Sequence, residues 1–270
     1  MGAFVRQPAV AGRFYPGKPE ILLHDLRSYT AAEGDKIDAL GCIVPHAGYM
    51  YSGAIAGAVY ARLELPWRFI ILCPNHTGMG APLAILSEGR WLTPLGEARV
   101  DEELAAALKQ EFEPLSEDAG AHLHEHALEV QLPFLQSLLR DFSFVPIAVG
   151  VSRYEILADL GEAIAKCLAR TQEKVLVIAS SDMNHYESDA VTRVKDHKAI
   201  ERILELDPAG LYEVIQRENI SMCGYGPAVA MLTATRLAGA SQAQLIKYGT
   251  SGDVSGDRDL VVGYAGVAVS

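Results

Sequence analysis

The sequence predicts an α/β protein: a single domain, residues 1–270, with a central, mostly parallel sheet flanked by helices. Three observations carry that expectation. Runs such as Cys42–Val44, Phe69–Cys73 and Val175–Ala179 are apolar throughout and read as strands buried in a core. Helical stretches alternate with these strands, as parallel pairing requires. No linker, internal boundary or low-complexity stretch interrupts the 270 residues, a length that can bury a sizeable core.

The elements follow in order. Residues 1–17 form an extended arm packed on the domain, because residues 6–17 hold two prolines and two glycines and cannot be a regular helix. A first helix spans Glu20–Ala32, with Ile21, Leu22 and Leu26 along one face. Strand Cys42–Val44 stops at Pro45, which has no N–H for a sheet ladder, and His46 follows at once. Ser52 is the expected N-cap of a small-residue helix, Gly53–Leu63. Strand Phe69–Cys73 repeats the arrangement, running into Pro74, Asn75 and His76. Pro82–Ser87 and Trp91–Thr93 are further strands joined by a turn, and Asp101 caps a helix to Phe112.

From Glu125 the spacing turns helical through Leu139, so His126 and Glu129 share a face, as do Glu125 and Glu129, and Pro133 kinks the helix unless it opens a new turn. Strand Ser143–Val149, helix Tyr154–Arg170 and strand Lys174–Ala179 come next, the last ending in the polar run Ser180 to Tyr186. Helices Val191–Glu205, Pro208–Gln216 and Ala228–Ala238 follow. The chain closes with strands Ala243–Tyr248 and Leu260–Val269, joined by an acidic, solvated turn from Thr250 to Asp259.

Composition narrows the function. A net charge of −11 argues against nucleic acid, which demands clustered Lys and Arg. No apolar run approaches the ~18–20 residues of a membrane span, and the first ten residues lack the basic-then-apolar pattern of a signal peptide. Arg6 stands where a myristoylation signal needs Ser or Thr. Four cysteines, widely spaced and without a C-x-x-C pair, read as reduced thiols of a cytoplasmic protein. Cys42, Cys73 and Cys167 sit in apolar runs as small core residues.

Phosphate-loop, dinucleotide, H-E-x-x-H, G-x-S-x-G and calcium-loop motifs are all missing. What remains is a constellation. His46, His76 and His185, with Asp182, fall just past buried strands, and in a parallel sheet such positions converge on one edge. Imidazoles there suit a borderline metal completed by a thiolate or carboxylate. Cys223 is the candidate thiolate, since it precedes Gly224 at the start of a helix. His126 and Glu129 are candidates for supporting hydrogen bonds or proton transfer. His122 and His124 read as part of a solvated helix start.

These residues, with others, resemble the Memo family (AmmeMemoRadiSam system protein B). The likeness runs through Arg6, Pro8 to Gly12 with Phe14-Tyr-Pro16, Pro45 to Tyr49, Pro74-Asn-His76 and Trp91 with Thr93 to Gly96. It continues through Glu125-His126 with Glu129, Leu132 and Pro133, then Ser180-Ser-Asp182 with His185, Cys223-Gly224, Ser251 to Asp253 and Val262 to Ala265. It covers essentially the whole chain. The resemblance implies a fold similar to that of the class III extradiol ring-cleaving dioxygenases. It also implies a pocket for iron or copper, with zinc compatible, whose ligands correspond to His46, His76 and Cys223, with His185 beside them. Ring-cleaving enzymes hold ferrous iron with two His and a carboxylate, and here Cys223 stands in the carboxylate's place. Animal members carry a second His after the first, where this chain has Thr77.

Three functions compete at this point. The first is a metal-dependent redox protein acting on a small substrate, with His185 as acid or base. A metal-free thiol enzyme is the second, with Cys223 as nucleophile, His185 or His126 as base, and an amide near Gly224 stabilising an oxyanion. The third is a non-enzymatic module binding a peptide or protein, since animal members act as adaptors to phosphotyrosine-bearing receptors. The implied partners are accordingly a small molecule or peptide, partner proteins of the AmmeMemoRadiSam system, and further copies of the chain in a homo-oligomer.

Overall fold

The computed structural model describes residues 4–31 and 34–270. Twelve strands among these residues join in one sheet: β1 (Val5–Arg6), β2 (Gly41–Val44), β3 (Arg68–Pro74), β4 (Leu83–Ile85), β5 (Arg90–Thr93), β6 (Gly96–Val100), β7 (Ser116–Glu117), β8 (Ser143–Val149), β9 (Val175–Ser180), β10 (His185–Glu187), β11 (Ala243–Thr250) and β12 (Val261–Val269). The spatial order β6-β8-β3-β9-β2 is parallel throughout. Antiparallel β12 then extends it, pairing with β2, β10 and β11.

The strands are buried on both faces because their side chains alternate between two cores. Ile43, Ile70, Leu72, Val145, Ile147 and Val177 point to one. Val44, Phe69, Ile71, Phe144, Leu176 and Ile178 point to the other. This is why the runs look apolar rather than alternating. The first core is closed by α3 (Glu102–Glu111), α7 (Tyr154–Arg170), α8 (Asp189–Leu204), α9 (Pro208–Glu218) and α10 (Tyr225–Leu237). The second is closed by α1 (Pro19–Tyr29), α2 (Tyr49–Arg62), α5 (His126–Glu129) and α6 (Leu132–Leu138). Two short helices, α4 (Gly120–Leu123) and α11 (Gly252–Ser255), lie in loops.

Several local expectations are corrected. Ser52 is not an N-cap: α2 starts at Tyr49 with Gly48 as cap, and the Ser52 hydroxyl donates back to Ala47 O at 2.9 Å. The arm explains the earlier start, because Phe14 O accepts the otherwise orphaned Tyr49 N–H at 2.8 Å. The helix expected over 125–139 breaks into α5 and α6. Pro133 sits in the first turn of α6, where its missing N–H costs nothing. The acidic turn holds α11, and Arg193 and Arg258 pair with its Asp253. Strands β6, β7 and β10 carry no local sequence signal. The first helix ends at Tyr29, and Ala32, like residues 1–3 of the arm, lies outside the described residues.

From Phe4 onward the chain ahead of α1 packs on the domain. β1 pairs with β5, and Arg6 lies buried with its guanidinium 4.1 Å from the centre of the Trp91 ring. No helix among the described residues is long and apolar enough to cross a membrane.

Candidate metal centre

Three neighbouring strands deliver the site at their C-terminal ends. β2 ends at Val44, β3 at Pro74 and β9 at Ser180, and each chain then turns away to place His46, His76 and Asp182 two residues on. β10, carrying His185, lies beyond β12 on the same side. Cys223 arrives from the other direction, just ahead of the Gly224 cap of α10. Together with His126, Phe14, Tyr186, Ser221, Val262 and Tyr264 these residues line one cavity of about 670 Å³. Of the predicted site residues only Glu129 is not in that lining.

Within the cavity a nitrogen of His46, a nitrogen of His76 and Cys223 Sγ lie within 4.8 Å of one another. Cys223 Sγ is 3.1 Å from His46 Nε2. Neighbouring hydrogen bonds fix which nitrogens carry protons. Ser180 Oγ donates to Ala127 O at 2.6 Å and accepts from Gln131 Nε2 at 2.9 Å. That amide is itself fixed, since Nε2 also donates to Pro45 O and Oε1 accepts from Tyr60. With its single proton committed to Ala127, Ser180 Oγ can only accept from His46 Nδ1, 3.0 Å away. His46 therefore turns an unprotonated Nε2 toward Cys223. His185 follows the same rule, with Nδ1 donating to Ser221 O at 2.9 Å. His76 Nδ1 donates to Glu125 Oε1 at 2.9 Å, and its backbone N–H donates to Glu125 Oε2 at 2.6 Å.

Electrostatics keep His46, His126 and His185 neutral. Burial, and then the neighbouring imidazoles, hold the His46 pKa well below its ordinary value. Burial lowers His126 and His185 as well, and pushes the Cys223 thiol up. Asp182 is pushed up to about 7 by burial, although the His46 N–H donates to its Oδ1 at 2.7 Å. Two imidazoles and a thiol that a cation would ionise fit a borderline or soft divalent ion, or a cuprous one. His76, Glu125 and His126 form a second close group. Glu125 there already accepts three N–H donors, those of His76 and the Ala127 amide. It supports the site rather than offering a free ligand.

Glu129 lies elsewhere. It is wholly buried and accepts from Arg6 at 2.7 Å, Tyr15 OH at 2.6 Å and the amides of Ala9 and Val10 at 2.8 and 3.1 Å. It anchors the arm, and among the described residues it makes no hydrogen bond to His46, His76 or Cys223. His122 is not solvated either. It is fully buried with its ring against Trp91, neither nitrogen has a hydrogen-bond partner among the described residues, and burial lowers its pKa to about 4. His124 is exposed, as expected.

Residues 6–268 match the family profile described as Memo-like protein. The chain belongs to the Memo family. It is 46% identical over 263 residues to a MEMO1 family protein of Archaeoglobus fulgidus, covering 97% of this chain and 98% of that one. A MEMO1 family protein of Methanosarcina mazei is 45% identical over 267 residues, with 98% and 99% covered, and that of Methanothermobacter thermautotrophicus is 42% identical over 273 residues, with 97% and 99% covered. Among solved structures, the uncharacterized protein JW3007 from Escherichia coli K12 superposes with a TM-score of 0.55 at 12% identity, covering 83% of this chain and 98% of that one. That likeness supports the Memo chain's α/β fold.

Proposed function

We propose that this Memo-family protein binds a redox-active metal, iron or copper, through His46 Nε2, His76 Nε2 and Cys223 Sγ, and uses it on a small substrate admitted to the cavity. The observation that carries the reading is the meeting of one ring nitrogen from each His with Cys223 Sγ within 4.8 Å, on imidazoles whose Nδ1 already donates elsewhere. The metal would supply electron exchange and polarise a bound oxygen atom. The chain's own groups would handle protons. Asp182, with a pKa of about 7, holds or releases one at neutral pH, and His185 Nε2 takes one from a substrate hydroxyl. Phe14, Tyr186 and Tyr264 give the cavity aromatic walls.

The thiol-enzyme reading is less well supported. The Gly224 amide, needed for an oxyanion, donates to Ser181 Oγ at 3.0 Å, and burial opposes the Cys223 thiolate. Metal analysis of protein purified without chelator or affinity-tag metal tests the proposal. About one iron or copper per chain, lost in His46→Ala, supports it. Wild-type protein that takes up no metal when supplied with ferrous, cuprous or zinc ions overturns it.

A further inference from the structure

We propose that Glu125 is a positioning residue that aims His76 into the cavity, and that the N-terminal arm holds Glu125 in place. The inference rests on the metal-centre reading for its purpose, but its geometry can be tested on metal-free protein.

Glu125 is wholly buried, yet the arginine nearest to it does not touch its carboxylate. Arg6 donates instead to the Glu125 carbonyl at 2.8 Å and to the Glu129 carboxylate at 2.7 Å. The Glu125 carboxylate is left to the imidazoles beside it, closely to His76 and more distantly to His126, whose Nδ1 lies 3.4 Å from Oε1. One oxygen takes the His76 backbone N–H and the other takes the Nδ1–H of the same residue, so loop and ring are gripped together. The Ala127 amide donates to Oε1 at 2.9 Å and completes the set. A carboxylate can only accept here, so His76 must carry its proton on Nδ1 and present Nε2 to Cys223 and His46. No other hydrogen bond fixes the His76 ring among the described residues, and its side chain is one-third exposed. Without Glu125 both tautomers and several ring orientations become accessible.

Glutamine cannot substitute. If its NH₂ replaces Oε2, the His76 amide meets a donor. If it replaces Oε1, the Ala127 amide meets a donor and the imidazole must move its proton to Nε2, the atom the metal needs.

Two measurements test this. In metal-free wild-type protein, above the pH range where imidazole is protonated, long-range ¹⁵N–¹H spectra are expected to show His76 with Nδ1–H and an unprotonated Nε2. The signal is assigned by its disappearance in His76→Ala. Finding Nε2–H on His76 overturns the proposal without any variant at Glu125. In Glu125→Gln, the Nε2–H form is expected to appear, and the affinity for ferrous iron to fall by roughly ten- to a hundredfold, while the metal-free protein still unfolds cooperatively at a moderately lower melting temperature. An unaltered tautomer with unaltered affinity overturns it. If wild-type protein takes up no metal, the metal reading fails while the tautomer result still decides the role of Glu125.

Discussion

Glu125 and Glu129 are four residues apart, both wholly buried, and do different work. Glu129 faces the arm, where Arg6, Tyr15 and two amides satisfy it and no atom of the group is left for a ligand. Glu125 faces the cavity, where it holds an imidazole by Nδ1 and leaves Nε2 without a hydrogen bond among the described residues. The first arrangement is closed and holds the fold together. The second passes its orientation outward to a donor atom. What decides the role of a buried carboxylate is therefore whether its partner has a second, outward-facing atom.

The largest expected effects lie on the cavity side. His46→Ala or His76→Ala should abolish tight metal binding, because the two protein ligands left rarely hold an ion against water. The metal-free melting temperature of His76→Ala should stay close to wild type, since the ring is partly exposed. Titration calorimetry and thermal melting read the two halves, and a His76→Ala protein that keeps its affinity would remove the distinction between the two regions.

The arm side should behave in reverse. Glu129→Ala leaves the Arg6 guanidinium buried without its carboxylate, which costs roughly 3–5 kcal/mol and lowers Tm by about 10 °C. Metal affinity of the protein that remains folded should change far less. Loss of metal at an unchanged melting temperature would assign Glu129 to the metal centre after all.

A third buried carboxylate shows what burial does with neither device. Asp196 on α8 accepts from Tyr248 OH at 2.7 Å and the Asn184 amide at 2.8 Å. Burial still pushes its pKa up to about 6. Its native form thus binds a proton that the unfolded chain gives up near pH 4, so this group costs stability as pH rises from about 4 to 6. Asp196→Asn should gain on wild type by about 1–2 kcal/mol between pH 5 and pH 7.5 in urea titrations. Equal pH dependence in the two proteins would contradict the shift.

The sequence exposes His46 and His76 because each comes within two residues of a proline at the end of a buried strand, a local signal of a sheet's C-terminal edge. Cys223 stands out as the one cysteine outside an apolar run. Glu125 is hidden because helical spacing puts it on one face with Glu129. In the structure it is the N-cap of α5, at φ −76° and ψ 122°, so it lies outside the helix and the four-residue rule does not apply. His122 is equally silent: its burial depends on Trp91 and on the arm's Arg6, contacts more than thirty residues away in sequence. The start of α2 at Tyr49 is hidden for the same reason, since the arm's Phe14 provides the acceptor for the Tyr49 N–H.

The central claim is that Cys223 shares a metal with His46 and His76. All four cysteines are free, and Cys42, Cys73 and Cys167 are buried while Cys223 is partly exposed. Iodoacetamide labelling, followed by peptide mass spectrometry, therefore reports on Cys223 against three internal references. The account predicts that ferrous or cuprous ion slows alkylation of Cys223 alone and that a chelator restores the rate. Equal labelling of Cys223 with and without a stoichiometric bound metal would contradict it.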